Sequence, residues 1–128
     1  MRIILALLAI AVFAWADAYD DGLAAAKRGD YQEAIRQFTQ AIEIDPNSAA
    51  YNDRGIVYVA LGDYSNEIAD YTQAIEIDPK YTSAYNNRGI SYAKLGDFKN
   101  AAEDAHKACD LGDCKLLQLL EKEGLICD

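Results

Sequence analysis

The sequence predicts an all-α protein made of stacked helical hairpins, and three features support this prediction. Residues 31–46 read YQEAIRQFTQAIEIDP and residues 64–79 read YSNEIADYTQAIEIDP, so one segment recurs after 33 residues. From Tyr19 onward the apolar residues follow a helical period. Gly-Asp and Asp-Pro dipeptides interrupt that period at regular intervals. A unit repeated in this way cannot bury its apolar face alone and must stack on further copies.

The turn residues divide the chain into paired helices. Gly29, Gly62 and Gly96 each precede an Asp. Glycine suits the left-handed residue that follows a helix, and Asp suits the N-cap of the next helix. Pro46 and Pro79 end the second helix of a pair, because the residue before a proline resists the helical conformation. The predicted helices lie near residues 20–28, 31–44, 48–61, 64–77, 82–95, 98–111 and 115–123.

The composition narrows the classes of partner. The chain has 128 residues, of which 52% are hydrophobic and 26% charged, as in a globular domain. Its net charge of −9 argues against binding to nucleic acid, because phosphate recognition depends on Lys and Arg. The same charge disfavours anionic membrane surfaces and favours basic partners.

The N-terminus has the pattern of a secretory signal peptide. Arg2 precedes an apolar run over residues 3–16, and Ala16 and Ala18 are small residues at the two positions that signal peptidase reads. We therefore expect residues 1–18 to be a signal peptide cleaved after Ala18. The mature protein would be exported, to the periplasm or as a secreted protein, without stable membrane insertion. The apolar run is short for a membrane span, which needs about 20 residues. An uncleaved anchor or a first core helix is the alternative.

Small and aromatic residues occupy matching positions in each repeat. The first repeat carries Gly22, Gly29, Tyr31, Ala34, Phe38, Ala41 and Pro46. The second carries Tyr51, Gly55, Tyr58, Leu61, Gly62, Tyr64, Tyr71, Ala74 and Pro79. The third carries Tyr85, Gly89, Tyr92, Leu95, Gly96, Phe98, Ala101 and Ala108. On these residues the chain resembles the tetratricopeptide repeat (TPR) family.

The resemblance implies a right-handed α-solenoid of three TPR helix-turn-helix hairpins plus a C-terminal capping helix. The repeats would span residues 19–47, 48–81 and 82–113 of a domain covering 19–128, with the cap near 115–123. The resemblance also implies that the first helix of each hairpin lines a concave surface. That surface would hold Tyr19, Leu23, Lys27, Asn52, Asp53, Ile56, Val59, Asn86, Asn87, Ile90 and Lys94.

Within the family, the sequence argues against assigning this chain to one subtype. Members that clamp a C-terminal carboxylate present Lys, Asn and Arg at set positions of the groove. Here those positions carry Tyr19, Leu23, Asp53, Ser83 and Asn87, so the basic clamp is missing. Asn side chains can instead pair with the backbone of a bound peptide, and Ile56 and Ile90 offer apolar contact.

Two departures from the repeat pattern lead to structural expectations. Glu67 stands where the neighbouring repeats have Ala34 and Ala101. A carboxylate at that close helix contact is costly, so either the helix rotates and Glu67 reaches the surface, or the acid contacts a partner or responds to pH. Arg54 and Arg88 are each followed sixteen residues later by an Asp, which predicts an ion pair across each of these hairpins. The first repeat lacks the pair.

All three cysteines lie at the C-terminal end. Export would place them in an oxidising compartment, where one disulfide is expected. Cys114 with Cys127 is the expected pair, because it would lock the capping helix, and Cys109 with Cys114 is the alternative.

No catalytic or metal-binding motif is present in the sequence, and neither a cofactor nor a metal is expected. His106, the sole histidine, has no placed nucleophile beside it. The leading hypothesis is a non-catalytic interaction module that binds a protein or peptide in its concave groove. The alternative is a self-assembling oligomer that serves as a structural scaffold, and an enzyme is the third possibility.

Overall fold

The computed structural model describes residues 1–127, and this part of the chain contains seven α-helices and no strand. The helices are α1 Arg2–Lys27, α2 Tyr31–Ile44, α3 Ser48–Ala60, α4 Tyr64–Ile77, α5 Thr82–Lys94, α6 Phe98–Asp110 and α7 Lys115–Lys122. Turns of three or four residues join them, so neighbours form antiparallel hairpins α1–α2, α3–α4 and α5–α6. The hairpins stack in chain order, and α7 covers the last one. The all-α solenoid predicted from the sequence is confirmed.

The turn chemistry follows the prediction. Gly29, Gly62 and Gly96 have φ of 76°, 70° and 78°, a left-handed conformation that few residues other than glycine adopt. The Asp after each glycine caps the next helix through its carboxylate. Asp63, for example, accepts from the backbone N–H of Asn66 at 3.2 Å. Each hairpin turn is therefore specified by two adjacent residues.

The first helix is longer than predicted. It begins at Arg2, so the apolar N-terminal run and the first repeat helix form one continuous helix. No Gly or Pro separates the two segments, and Asp17 and Ala18 are compatible with helix, so nothing in the chain ends the apolar helix before the repeat begins. Trp15 stacks on Tyr19 with ring centroids 5.0 Å apart. Residues N-terminal to Trp15 are exposed. By length and composition α1 could cross a membrane, a test that signal sequences near an N-terminus also pass.

A glycine in the first helix of each hairpin admits a bulky side chain. A Cβ at Gly22 would lie 2.8 Å from the ring of Phe38, and one at Gly55 would lie 2.7 Å from the ring of Tyr71. In the third hairpin a Cβ at Gly89 would lie 2.7 Å from a methyl of Leu116, which belongs to α7. In each hairpin the group that uses this space is an aromatic ring or a leucine side chain.

Glu67 is fully buried, with 0% of its surface exposed. Neither of its carboxyl oxygens has a hydrogen-bond partner within residues 1–127. The expectation that α4 rotates to bring Glu67 to the surface is therefore wrong. The reason is that Tyr71 and Ala74 lie on the same face of α4 and are also buried, so α4 cannot turn Glu67 outward without exposing them.

The predicted ion pairs are confirmed. Arg54 binds Asp70 through two hydrogen bonds of 2.8 Å, and Arg88 binds Asp104 in the same way. Each guanidinium also donates to a threonine of the preceding hairpin, Arg54 to Thr39 at 2.9 Å and Arg88 to Thr72 at 3.0 Å. Asp70 and Asp104 are buried. These pairs thus join three helices each and are more enclosed than surface salt bridges.

The disulfide joins Cys109 to Cys114, while Cys127 is free and exposed. The expected pair of Cys114 with Cys127 is wrong, and the alternative holds. Cys114 is the N-cap of α7 and lies next to the end of α6, across a tight turn at Gly112. Cys127 follows the other end of α7, a helix of eight residues that spans about 12 Å. The length of α7 therefore separates Cys127 from Cys114.

Candidate functional site

The first helices of the three hairpins, α1, α3 and α5, share one face of the solenoid, which we call the groove. Ile56 and Ile90 are its most prominent apolar residues, with 47% and 41% of their surfaces exposed. Helices α3 and α5 both contribute to a pocket of about 140 Å³. Its lining consists of Ile56, Val59, Tyr71, Asn87, Ile90, Ser91 and Lys94. Five of the predicted groove residues therefore meet in one place.

A second pocket of about 260 Å³ continues the groove toward the capping helix. Its lining consists of Asn86, Ile90, Asp113, Lys115, Leu116 and Leu119. Ile90 belongs to both pockets, so the apolar surface is continuous from α3 to α7. Leu119, with 53% of its surface exposed, was not among the predicted groove residues. The signal that could have found it is the apolar stripe of α7, which is too wide to be buried on α6 alone.

Hydrogen bonds between polar side chains cross the groove from α1 to α5. The Tyr19 hydroxyl donates to Asp53 Oδ2, and Asn52 Nδ2 donates to Asp53 Oδ1 at 3.2 Å. Asn87 Nδ2 then donates to Asn52 Oδ1 at 3.0 Å. This chain links the first helices of all three hairpins directly, in addition to their packing on the second helices.

Asn52 therefore differs from its predicted role. It was expected to be open to the backbone of a bound peptide, but only 4% of its surface is exposed and its amide bonds within the protein. Asn86 is partly similar, because its Nδ2 donates to Asp113 at 2.9 Å. Its Oδ1 is buried without a hydrogen-bond partner within residues 1–127. Asn86 lines the second pocket, but this oxygen is enclosed by the protein.

The remaining predicted residues lie toward the ends of the groove. Tyr19 and Leu23 are half-buried and pack against the core around Phe38 and Ala25. Lys27 and Lys94 are exposed in the last turns of α1 and α5. Because α1, α3 and α5 run in the same direction, both lysines lie at the same end of the groove, away from Asp53.

The tyrosines around Asp53 have altered acidity. The pKa of Tyr19 is raised well above its usual value by burial, by its hydrogen bond to Asp53 and by the charge of that carboxylate. Burial, together with the Asp53 charge, also raises the pKa of Tyr81. These phenols stay protonated at neutral pH, so Tyr19 remains a donor to Asp53.

Within residues 1–127, no group of three or more His, Cys, Asp or Glu side chains is placed to hold a metal ion. His106 is exposed on α6, away from the groove helices. The groove offers apolar contact, hydrogen bonds and charge, and these are means of binding.

Comparisons with known proteins agree with this architecture. The family profile described as TPR repeat matches residues 22–62 and 55–96, and that described as tetratricopeptide repeat matches residues 82–111. No curated protein sequence matches the chain.

Several solved TPR structures are similar to it. The Arabidopsis OM64 TPR domain has a TM-score of 0.81 at 28% identity, covering 88% of this chain and 95% of its own. The second TPR domain of human RPAP3, in complex with HSP70 peptide SGPTIEEVD, has a TM-score of 0.79 at 28% identity, with 88% and 96% covered. The first TPR of Spaghetti (RPAP3), bound to HSP90 peptide SRMEEVD, has a TM-score of 0.79 at 25% identity, with 86% and 90% covered. The chain thus belongs to the tetratricopeptide repeat family.

Proposed function

We propose that this protein is a non-catalytic interaction module that holds an extended segment of a partner protein in its groove. The observation that carries the proposal is the exposure of Ile56 and Ile90 on either side of one pocket. Exposed branched aliphatic side chains that flank a concavity are suited to receive an apolar side chain of a partner.

The polar surroundings of that pocket suit a peptide backbone. Asn87 and Ser91 line it, and Asn86 lines the adjoining pocket. Groups of this kind can satisfy the N–H and C=O groups of an extended chain, which a purely apolar pocket cannot do. The similarity to two TPR domains solved with bound peptides supports the same mode of binding.

The partner should nevertheless differ from the peptides in those two complexes. SRMEEVD and SGPTIEEVD carry glutamates and a C-terminal aspartate. In this chain Asp53 faces the groove, and Tyr19 and Asn87 occupy other positions at which carboxylate-clamping relatives place basic or amide groups. We expect an internal segment of a partner, and not an acidic C-terminus, to be the ligand.

The groove can be tested by selecting a random peptide library on the full chain in a neutral detergent. Peptides so selected should bind the Ile56→Ala/Ile90→Ala variant about tenfold more weakly or worse, because the pocket loses both walls. Ile77→Ala is the matched control, since Ile77 is exposed to a similar degree, 44%, but lies on α4, outside the groove. Equal losses in both variants would place the binding surface elsewhere.

We also propose that residues 1–18 direct export and are removed before the domain folds. The large apolar side chains from Ile3 to Phe13 are exposed, as suits a segment that acts in a membrane. Ala18 is buried, with 4% of its surface exposed, and lies inside a continuous helix. A peptidase could reach it only in the unfolded chain.

Intact mass and fluorescence of the protein recovered from its own cells test this proposal. Cleavage after Ala18 leaves a chain that begins at Tyr19 and contains no tryptophan, because Trp15 is the single tryptophan. The recovered protein should then show tyrosine emission alone. A full-length mass together with tryptophan emission from the membrane fraction would show that α1 is retained as an anchor.

A further inference from the structure

The groove contains a half-buried carboxylate whose hydrogen-bond partners are both neutral. Asp53 lies in the middle of α3 and faces α1, where the Tyr19 hydroxyl donates to one of its oxygens. The amide of Asn52 donates to the other oxygen at 3.2 Å. A carboxylate can accept about four hydrogen bonds, so Asp53 has unused capacity on its open side.

Asp53 differs in this respect from the two buried aspartates of the solenoid. Asp70 and Asp104 are each held by an arginine at 2.8 Å. Within residues 1–127, no Lys, Arg or His lies within 4.0 Å of Asp53, since the salt bridges there involve Glu33, Asp70 and Asp104. Its charge is therefore uncompensated at close range, in an environment less polar than water.

The ring of Tyr19 lies beside this carboxylate, since its hydroxyl donates to Asp53 Oδ2. The charge of Asp53 also contributes to the raised pKa values of Tyr19 and Tyr81, in each case after burial as the largest cause. A carboxylate beside a phenol ring is a favourable environment for a cationic side chain, which gains both the ion pair and contact with the electron-rich ring face.

We infer that the groove recognises a basic segment, in which one Lys or Arg side chain docks on Asp53 while a neighbouring apolar side chain enters the pocket between Ile56 and Ile90. This inference rests on the proposed peptide-binding function and names the chemistry of the ligand. The protein's net charge of −9 would speed the approach of such a segment.

The distribution of charge also sets a direction for the ligand. Asp53 lies in the middle of α3, whereas Lys27 and Lys94 lie in the last turns of α1 and α5. Both lysines therefore lie on the same side of the carboxylate along the groove. A bound segment would place its basic residue at Asp53 and tolerate acidic residues toward Lys94.

The test uses the full chain in a neutral detergent and a positional-scanning peptide library with acetylated N-termini and amidated C-termini. Blocking both ends leaves side chains as the only ionic groups of the peptides. Wild-type protein should select Lys or Arg over norleucine, an uncharged side chain of similar length, at one position fixed relative to an apolar residue. The preference should be about tenfold.

Two variants test the role of the Asp53 charge. Asp53→Asn keeps the shape of the side chain and removes its charge, so the preference for Lys and Arg should disappear. Glu43→Gln removes an exposed charge from α2, outside the groove, and should leave the preference unchanged. Thermal melting of each variant checks that the fold is intact.

The outcomes distinguish this inference from the function on which it rests. Binding that depends on Ile56 and Ile90 but favours norleucine or acidic residues equally would overturn the inference and leave the groove proposal standing. Persistence of the basic preference in Asp53→Asn would overturn it as well. Failure of the wild-type protein to select any peptide would overturn both proposals.

Discussion

The second and third hairpins solve the same packing problem in different ways. In the second, the space above Gly55 is filled by the ring of Tyr71, a residue of the same hairpin. In the third, the residue equivalent to Tyr71 is Ala105, and the space above Gly89 is filled by Leu116 of the capping helix. The second hairpin thus supplies this core residue itself, whereas in the third hairpin the capping helix α7 supplies it.

The difference explains why the third hairpin needs the capping helix and why the second hairpin contains a destabilising buried acid. Ala101 and Ala105 form a shallow face that α7 covers with Leu116 and Leu120, and these four buried residues make one cluster. The second hairpin has no such shallow face, and it buries Glu67 where the third has Ala101. One hairpin depends on its neighbour for apolar contact, and the other tolerates an unsatisfied acid.

The largest expected effect on stability comes from truncating the side chain that α7 supplies to the third hairpin. Leu116→Ala should lower the free energy of unfolding by about 3 kcal/mol, because it opens a cavity against Gly89 and the Ala101 cluster. Leu119→Ala on the same helix is the control, since Leu119 is largely exposed and its loss should cost little. Urea unfolding of the two variants measures the difference. Similar costs would show that α7 is not part of the third hairpin's core.

Replacing the buried acid of the second hairpin should stabilise the protein. Glu67→Met keeps the volume and removes two oxygens that have no hydrogen-bond partner within residues 1–127, so the free energy of unfolding should rise by about 2 kcal/mol. Glu67→Ala should also raise the melting temperature, but by less, because part of the gain is lost to a cavity. Glu76→Met, at an exposed position of the same helix, should change little. A clear drop on removing Glu67 would mean that its carboxyl has a structural use.

The two glycines should respond unequally to an added methyl group. Gly55→Ala pushes a Cβ against the ring of Tyr71, which is buried and cannot yield, and should destabilise by about 1 kcal/mol after the helix propensity of alanine is counted. Gly89→Ala first meets a terminal methyl of Leu116, which can rotate away, so its cost should be smaller. Thermal melting compares the two, and a larger loss at Gly89 would contradict the comparison.

The smallest expected effect on stability should appear only at alkaline pH. Burial, with the charges of Glu67, Asp70 and Asp53, raises the pKa of Tyr71 well above the usual value of about 10. The unfolded chain therefore loses this proton at lower pH than the folded protein, and stability should fall as pH rises above about 10. Tyr71→Phe keeps the ring over Gly55 and should reduce that slope. An unchanged slope between pH 9 and pH 11, measured by urea unfolding, would exclude Tyr71 as its source.

Much of this architecture could be read from local sequence. The Gly-Asp turns, the helix ends before Pro46 and Pro79, and the pairing of Arg54 with Asp70 depend on neighbours at short and repeated spacing, and the structure contains all of them. The start of α1, the burial of Glu67 and the partner of Cys114 were predicted wrongly. Each depends on which face or segment meets another in space, and periodicity carries no information about that.

The groove likewise combines features that the sequence predicted and features that only the tertiary structure shows. The sequence, with the family resemblance, indicated which helices line it, and Ile56, Ile90 and Asn87 do meet at one pocket. It did not indicate that Asn52 would be enclosed in hydrogen bonds between the helices, nor that Leu119 of the cap would extend the apolar surface. Both facts arise where separate hairpins come together.

By itself the sequence determined the repeat, the helices and their order, because turn chemistry and apolar period act over a few residues. Tertiary structure alone decided that Leu116 completes the third hairpin, that Glu67 is sealed inside the second, and that no cation within residues 1–127 lies within 4.0 Å of Asp53. The physical reason is that burial and charge compensation depend on what stacked helices bring to a given point, often from residues more than twenty positions away.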